Sequence, residues 1–189
     1  MEDVYPTAQA AESAIRILLK RICENPDREG LVDTPARVVR SFEEMTCGYK
    51  EYAGDILKAI FSEHCDEIVL LRGVRFSSLC EHHLLPFTGV ATVGYLPNDQ
   101  VVGISKLARL VHCYARRLQV QERLTQQIAA ALQEHLKPRG VGVVIRAHHH
   151  CMGCRGVEQP DAEMVTSAMT GLFRENAATK AEFMSLAKG

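Results

Sequence analysis

Residues 67–96 read EIVLLRGVRFSSLCEHHLLPFTGVATVGYL, and this stretch decides the fold. Glu67 to Leu79 is rich in β-branched and aliphatic residues, and Thr88 to Leu96 continues in the same way, which is typical of β-strands. Between the two predicted strands, Cys80-Glu81-His82-His83 places a thiol and an imidazole at the short-loop ligand spacing of zinc sites. The sequence therefore predicts a metal-binding stretch that follows directly on a strand.

A second dense group of soft ligands lies far downstream, in His148-His149-His150-Cys151-Met152-Gly153-Cys154-Arg155-Gly156. It follows Val141 to Ala147, which we interpret as a buried strand, and it precedes another predicted strand, Glu163 to Leu172. We interpret the two ligand stretches as halves of one site that the fold brings together.

Apolar residues recur at helical spacing near the N-terminus, and they predict two helices. The first covers residues 8 to 23. The second is expected to begin with Thr34 as its N-cap and Pro35 at the first helical position. It should end near Cys47, with Gly48 as its C-cap.

Two longer helices are predicted in the second half of the chain. Ser105 is expected to cap a helix from Lys106 to Leu118, and Val120 to Leu136 forms the next. The segment Pro97-Asn98-Asp99 turns the chain from the second strand into Gln100-Val101-Val102, so we expect a meander or hairpin there.

The order of elements is two helices, two strands, two helices, two strands and a short terminal helix, which Asn176 is expected to cap. Segregated runs of this kind predict an α+β domain with an antiparallel sheet. The 189 residues suit one domain with room for a small helical appendage.

Charge and cysteine content narrow the functional class. The formal net charge of -1 gives no argument for binding nucleic acid or a membrane. The N-terminus lacks the basic start and apolar run of a signal peptide, and no window is apolar enough to span a bilayer, so we expect a cytosolic location. Seven cysteines, an odd number, fit a reduced compartment better than a disulfide framework.

Cys80, His83 and Cys151 would give a zinc ion two thiolates and one imidazole and leave the fourth tetrahedral position for water, which is the composition of a catalytic site. Such a site makes hydroxide available near neutral pH and favours hydrolysis. Alternatively, Cys154 is the fourth ligand and closes a structural zinc knuckle. The gap of 67 residues between the halves means that the fold must exist before the site assembles, which weakens the knuckle interpretation.

The remaining candidate site residues are charged. Lys106 and Arg109 lie in the first turns of a helix, where backbone amides favour an anion, although isolated basic residues more often form a solvated face. Arg155 would place a permanent positive charge close to the metal-binding residues of the second ligand stretch. Glu122 could accept hydrogen bonds from a nitrogen-rich ring, but a surface glutamate is the default interpretation. Strand alternation would turn His148 and His150 to one side and His149 to the other.

Four ordered motifs resemble one family closely, and the resemblance spans at least residues 30 to 185. The motifs are Cys80-Glu81-His82-His83, Gly103-Ile104-Ser105-Lys106-Leu107-Ala108-Arg109, Arg117-Leu118-Gln119-Val120-Gln121-Glu122-Arg123-Leu124-Thr125 and His149-x-Cys151-x-x-x-Arg155-Gly156. Together they resemble GTP cyclohydrolase I.

The resemblance implies the tunnelling fold (T-fold), an α+β fold whose antiparallel sheet carries two long helices on one face. We expect an N-terminal helical segment over residues 1–60 and a catalytic T-fold domain over residues 61–189. The family implies a homodecamer of two stacked pentameric rings, with active sites between subunits. The implied reaction is hydrolysis of GTP to 7,8-dihydroneopterin triphosphate and formate, the entry to tetrahydrofolate or biopterin synthesis.

The resemblance also implies roles for the reacting groups. Cys80, His83 and Cys151 match the zinc ligands, and Cys154 stands where the family needs none. Water activated by zinc would add at C8 of guanine while His149 protonates the neighbouring ring nitrogen. His82, with Ser105, would move protons in the later ribose rearrangement and ring closure.

Further positions match the substrate-binding residues of the family. Glu122 matches the carboxylate that contacts the guanine edge, and Gln121 lies beside it. The positions that match the triphosphate-binding residues are Lys106, Arg109 and Arg155, to which Arg37 and Arg40 of an adjoining subunit would add charge.

Two alternatives stay open at this point. One is a non-catalytic T-fold or zinc-knuckle protein that binds a purine or pterin. The other is a relative with different chemistry, such as a nitrile reductase acting on a deazaguanine, against which the paired zinc-ligand motifs argue. His148, His150 and Cys154 depart from the family pattern and could alter metal affinity or sensitivity to oxidation.

Overall fold

The computed structural model describes residues 5–63 and 65–188. The chain forms two compact units that divide between residues 46 and 47. The predicted domain boundary at residue 60 is not tested by this division and stays a prediction. The helices of the described residues are α1 (Ala8–Arg21), α2 (Thr34–Met45), α3 (Ala53–Ile56), α4 (Ile104–Ala115), α5 (Gln121–Leu136), α6 (His150–Gly153), α7 (Leu172–Glu175) and α8 (Ala177–Lys188). The strands are β1 (Ile60–Phe61), β2 (Val69–Cys80), β3 (Pro86–Leu96), β4 (Val101–Val102), β5 (Leu118–Gln119), β6 (Gly140–His149) and β7 (Glu163–Gly171).

The N-terminal unit is a pair of helices, α1 and α2, that pack against each other. The hydroxyl of Thr7 caps α1 by accepting a hydrogen bond from the amide of Ala10 at 3.2 Å. Asp33, rather than the predicted Thr34, is the N-cap of α2, so Pro35 is the second helical residue and not the first as predicted.

Gly48 is not the C-cap of α2, which ends earlier than predicted, at Met45. It lies in a short 3-10 turn, where a Cβ would come within 2.2 Å of the carbonyl oxygen of Cys113. Its amide donates to the carbonyl of Arg116 at 3.0 Å. Glycine is required here because two backbone segments approach closely, and not because a helix ends.

The main sheet of the C-terminal unit has the strand order β5-β2-β3-β6-β7. All neighbours are antiparallel except β5, which runs parallel to the end of β2. In the register of β3 with β6, Phe87 lies opposite His149. The loop that follows Cys80 and the histidine-rich end of β6 therefore meet at the same end of the sheet.

The predicted hairpin after β3 is wrong. Val102 pairs with Ile60, so β4 forms a separate two-stranded sheet with β1. The physical reason is that β2 and β6 already occupy both edges of β3. The amide of Val102 instead donates to the hydroxyl of Tyr95 at 2.9 Å.

Helices cover both faces of the sheet. α4 and α5 pack on one face, over a core that includes Val93, Val143, Ile145, Leu110, Leu124, Ile128 and Leu132. On the other face, Phe183 of α8 lies over Gly94 and Gly142, which are opposite each other on β3 and β6. A Cβ on Gly142 would lie 2.8 Å from the Phe183 ring, so this pair of glycines leaves room for the aromatic side chain.

Several predicted helix and strand ends need correction. Gly103, not Ser105, is the N-cap of α4. This helix ends before the predicted Leu118 because Leu118–Gln119 pairs with the end of β2. His150 begins α6, so the predicted strand alternation does not extend to it.

Two predictions at the C-terminus are confirmed. Glu163–Gly171 is a strand, and Asn176 caps α8 by accepting hydrogen bonds from the amides of Ala178 at 2.9 Å and Thr179 at 3.1 Å. Within residues 5–63 and 65–188, no helix is both long and apolar enough to cross a membrane.

Candidate metal centre

Cys80, His83 and Cys151 come together at the end of the sheet, and their ligand atoms all lie within 4.8 Å of one another. Cys80 is the last residue of β2, His83 lies in the loop before β3, and Cys151 lies in α6. The Sγ of Cys80 is 3.8 Å from Nδ1 of His83. Tetrahedral coordination with ordinary zinc–sulfur and zinc–nitrogen bonds gives about 3.6 Å between two such atoms. The donor set and its spacing therefore fit zinc.

The loop is folded back on itself by backbone hydrogen bonds. The amide of Leu84 donates to the carbonyl of Cys80 at 2.8 Å, and the amide of Cys80 donates to the carbonyl of Leu85 at 2.9 Å. Leu84 takes the left-handed conformation, with φ of 56°, which turns the chain back towards β3. This turn brings His83 next to Cys80.

Burial and the neighbouring Cys80 raise the pKa of the Cys151 thiol. Burial and the nearby sulfur of Cys80 disfavour a thiolate at Cys151, because its charge would be poorly solvated and would be repelled by a second thiolate. A cation between them would remove that penalty and hold both as thiolates. The electrostatics of the pair therefore also favour a bound metal.

Cys154 is not a member of this three-ligand group and is exposed. Among the described residues, only Cys80, His83 and Cys151 form a group of three possible ligands. The geometry therefore favours a three-ligand site over a closed knuckle.

His149 lies beside the metal group at the end of β6. Its ring stacks on Phe87, with centroids 4.6 Å apart and planes 2° from parallel. Its Nε2 is 2.8 Å from Oε1 of Gln121. Burial lowers the pKa of His149, and the carboxylate of Glu122 partly offsets that effect.

Gln121 is fully buried, and its contacts fix the orientation of its amide. Its nitrogen donates to the carbonyls of Ile145 at 3.1 Å and Met164 at 2.9 Å and to Oγ1 of Thr166 at 3.1 Å. Since three acceptors surround the nitrogen, the oxygen must face His149. His149 therefore carries its proton on Nε2 when neutral, and Nδ1 is its free ring nitrogen.

Two threonines complete the hydrogen bonding around Gln121. The hydroxyl of Thr125 donates to the backbone carbonyl of Gln121 at 2.7 Å and lies 2.7 Å from the hydroxyl of Thr166. Because the Thr125 proton is already used, Thr166 donates to Thr125 and is free to accept from the Gln121 amide. The sequence motif contained Thr125 but gave no sign of Thr166, which comes from β7.

His82 is exposed between the two ligands of the loop, with Nε2 3.8 Å from Oε1 of Glu81. Glu81 forms a bidentate pair with Arg123, at 2.5 and 2.9 Å. This hydrogen bonding holds the pKa of the Glu81 carboxyl below its usual range. The motifs contained Glu81 and Arg123, but sequence reasoning gave neither a role. Together they set a fixed carboxylate beside His82.

Arg155 and Glu122 also lie close to this group. A guanidinium nitrogen of Arg155 is 3.5 Å from Nε2 of His83. Glu122 is the second residue of α5 and is exposed, next to the buried Gln121. A cation and a carboxylate thus flank the metal ligands and His149 within one chain.

Ser105 and Lys106 lie in the first turn of α4 and Arg109 lies in its middle. No hydrogen bond or ion pair among the described residues joins these three to the metal group. Further along α4, Nε2 of His112 is 3.1 Å from the carbonyl oxygen of Arg75. Arg75 precedes Cys80 on β2 by about 16 Å of extended strand. Ser105 lies a further seven helical residues away, or about 10 Å. Leu118, shortly after the end of α4, pairs with Leu79 on β2. α4 therefore runs towards the metal group, and Ser105 lies at the end of this helix that points away from it.

Arg37 and Arg40 lie on α2 in the N-terminal unit, and both are exposed. Arg37 pairs with Asp33 at 3.0 Å. Their predicted contact with a triphosphate stays a prediction.

The fold and the site define an α+β protein of the T-fold class, with a Cys-His-Cys group that could hold a metal ion at one end of its antiparallel sheet. The sequence model of GTP cyclohydrolase I matches residues 11–188. The chain belongs to the GTP cyclohydrolase I family. This confirms the resemblance that the four motifs predicted.

Relatives from several organisms match over nearly the whole chain. GTP cyclohydrolase 1 2 of Nostoc sp. is 54% identical over 186 residues, which cover 97% of this chain and 86% of the relative. GTP cyclohydrolase 1 of Thermobifida fusca is 53% identical over 94% of this chain and 87% of the relative. GTP cyclohydrolase 1 of Leptospira biflexa is 52% identical over 93% of this chain and 96% of the relative.

Proposed function

We propose that this protein hydrolyses GTP to 7,8-dihydroneopterin triphosphate and formate, the first step of tetrahydrofolate or other pterin synthesis. The observation that carries the proposal is the Cys80, His83 and Cys151 group with an oriented His149 beside it, in a chain of this family. We also propose a cytosolic location, on the cysteine content given above.

We propose that Cys80, His83 and Cys151 hold zinc. When bound, zinc would act as a Lewis acid and make water nucleophilic near neutral pH, as attack on C8 of guanine requires. The donor set and its spacing support this choice of metal.

The histidines are proposed to move the protons. Gln121 holds the Nε2 proton of His149, so Nδ1 is the atom that would take up a proton and give it to N7 of guanine. His82 lies next to the Glu81 carboxylate, with Nε2 3.8 Å from Oε1, and would serve with Ser105 in the later rearrangement and ring closure. Carbon 8 would leave as formate. The amino nitrogen that was N7 of guanine would then close the new ring onto the opened ribose.

The charged residues are proposed to bind the substrate. Glu122 would accept hydrogen bonds from the guanine edge and would reject adenine, which leaves a carboxylate unpaired. Arg155, with Lys106 and Arg109, would hold the triphosphate, and Arg37 and Arg40 would add charge. Gln121, predicted to contact the base, has its side-chain amide engaged by protein groups, so we propose that it acts mainly by orienting His149.

We propose that the active site forms between subunits of a homo-oligomer, a decamer of two pentameric rings. The direction of α4 supports this, because Ser105 lies at the end of the helix that points away from the metal group of its own chain. A second copy would then supply Ser105, Lys106 and Arg109.

A turnover assay tests the function. Purified, zinc-loaded protein incubated with GTP is expected to release formate in equal amount to a pterin that fluoresces after oxidation. ATP should not react, because its base presents the wrong donors to Glu122. If zinc-loaded oligomeric protein bound GTP but released no formate, this result would contradict the proposal and favour a non-catalytic binding protein.

Replacing Gln121 with methionine should lower kcat by about 10- to 100-fold, which is part of the contribution expected from a general acid. The His149 ring loses the acceptor that fixes its tautomer, whereas the metal ligands are untouched. We expect unchanged zinc content and a KM for GTP within about threefold of wild type. Gln126→Met, an exposed position on the same helix, is the matched control. An unchanged kcat in Gln121→Met would refute the orienting role.

A further inference from the structure

A cleft of about 270 Å³ opens on the sheet face that carries α8. Its polar side chains are Arg72, Thr92, Arg146 and Lys188, and the rest of its lining is glycine, alanine and valine. Ile145 and Ala147, the neighbours of Arg146 along β6, belong to the core beneath α4 and α5. Because side chains alternate along a strand, Arg146 points to the opposite face, away from the core into which Cys80 is packed.

A β-bulge brings Arg72 to this same face. Leu71 pairs with Val93 and Val74 pairs with Ala91, so Arg72 and Gly73 together oppose the single residue Thr92. Leu71 and Val74 both pack into the α4 and α5 core. Gly73 has φ of 77°, a conformation that favours glycine. The bulge therefore sets Arg72 beside Thr92. Arg146 lies on the other side of β3, opposite Val90, which is two residues from Thr92 along that strand.

The cleft has an uncompensated positive charge. Among residues 5–63 and 65–188, no carboxylate lines it, and no hydrogen bond or ion pair is formed by the side chain of Arg146 or Lys188. Arg72 donates one hydrogen bond, to the carbonyl of Leu186 at 3.2 Å. Arg146 is half-buried, and a partly desolvated guanidinium without an acceptor is unfavourable unless an anion pairs with it.

We propose that this cleft binds a phosphate-type oxyanion, with Arg72, Arg146 and Lys188 as its charged ligands and Thr92 as a hydroxyl donor. Arginine forks suit the oxygens of a phosphate, and three cations suit two or more negative charges. The cleft is smaller than the pockets that usually enclose a drug-sized ligand, so inorganic phosphate or diphosphate fits it better than a whole nucleotide. This site is separate from the proposed GTP site and does not depend on the proposed function.

The test uses the zinc-loaded, full-length protein and inorganic diphosphate, with binding measured by calorimetry. Arg146→Gln should weaken diphosphate binding by about 10- to 100-fold, the usual effect of losing a charge-assisted contact. Lys188→Gln, at the exposed end of α8, is a second variant that leaves the sheet unchanged. Arg174→Gln, which removes an exposed arginine outside the cleft, should bind as wild type does.

The proposed triphosphate residues must be separated from the cleft in this test. The Lys106→Gln/Arg155→Gln variant should still bind one diphosphate ion per protomer. ADP, tested in place of diphosphate, should bind no more tightly than diphosphate does. Loss of binding in that variant, with full binding in Arg146→Gln, would assign the anion to the active site and overturn the proposal. It would also be overturned if Arg146→Gln changed the oligomer mass but left diphosphate binding intact, since a second copy would then occupy the cleft.

Discussion

Replacing Cys151 with alanine is expected to remove the bound zinc and to lower kcat for GTP by about a thousandfold or more, as happens when a group that acts as one catalytic unit is broken. Cys151 is one of only two thiols in the three-ligand group. With Cys80 and His83 alone, the site has two protein ligands, which is fewer than catalytic zinc sites use. Zinc content by elemental analysis and formate release measure the two effects.

Cys154→Ala is the matched control because it removes a thiol three residues away that is outside the group. We expect it to keep zinc and activity. The helical content of Cys151→Ala should match that of wild type, since the core beneath α4 and α5 contains 24 buried residues and Cys151 only packs at its margin. Equal loss of zinc in the two variants would restore the closed knuckle and refute a three-ligand site.

The local part of the metal site could be predicted from the sequence, because Cys80 and His83 lie in one short turn. The joining of this turn to Cys151 was predicted only from the shared ligand types and the family resemblance, and the contact itself depends on the register of β3 with β6. Register depends on packing over the whole sheet, which no local pattern determines. The same limit explains the wrong hairpin after β3: the turn residues were read correctly, but β3 had no free edge.

Gln121 shows why roles are harder to predict than positions. The sequence placed it beside Glu122 at the start of a helix, and that placement is correct. Its fixed orientation comes from Met164 and Thr166, more than 40 residues further on, which approach it only after β7 has joined the sheet. Gly48 is a similar case, since its need for glycine comes from Cys113 and not from its own helix.

Mixing two inactive variants is expected to restore activity to about a quarter of the wild-type value, if each active site combines residues of two neighbouring subunits in a ring. One variant carries Cys151→Ala and lacks the metal group. The other carries Lys106→Ala and Arg109→Ala and lacks the proposed phosphate ligands on α4. When equal amounts are co-assembled at random, one interface in about four joins an intact metal group to an intact α4.

The physical basis is the direction of α4 relative to β2. The N-terminal end of α4 points away from the metal group of its own chain, so we propose that neighbouring subunits supply the two halves of each site and that neither variant completes a site alone. Each can complete the site of a neighbour. Size-exclusion chromatography before and after mixing establishes that the subunits have exchanged, and formate release measures the recovered sites.

A second mixture distinguishes shared sites from sites within one chain. Wild type is co-assembled in equal amounts with a chain that carries all three changes. Sites within one chain would then give about half of the wild-type activity, whereas sites shared between neighbours give about a quarter, since both contributing subunits must be wild type. No recovery from the two inactive variants, together with half activity in the second mixture, would place Lys106 and Arg109 in the same chain as the metal group they serve.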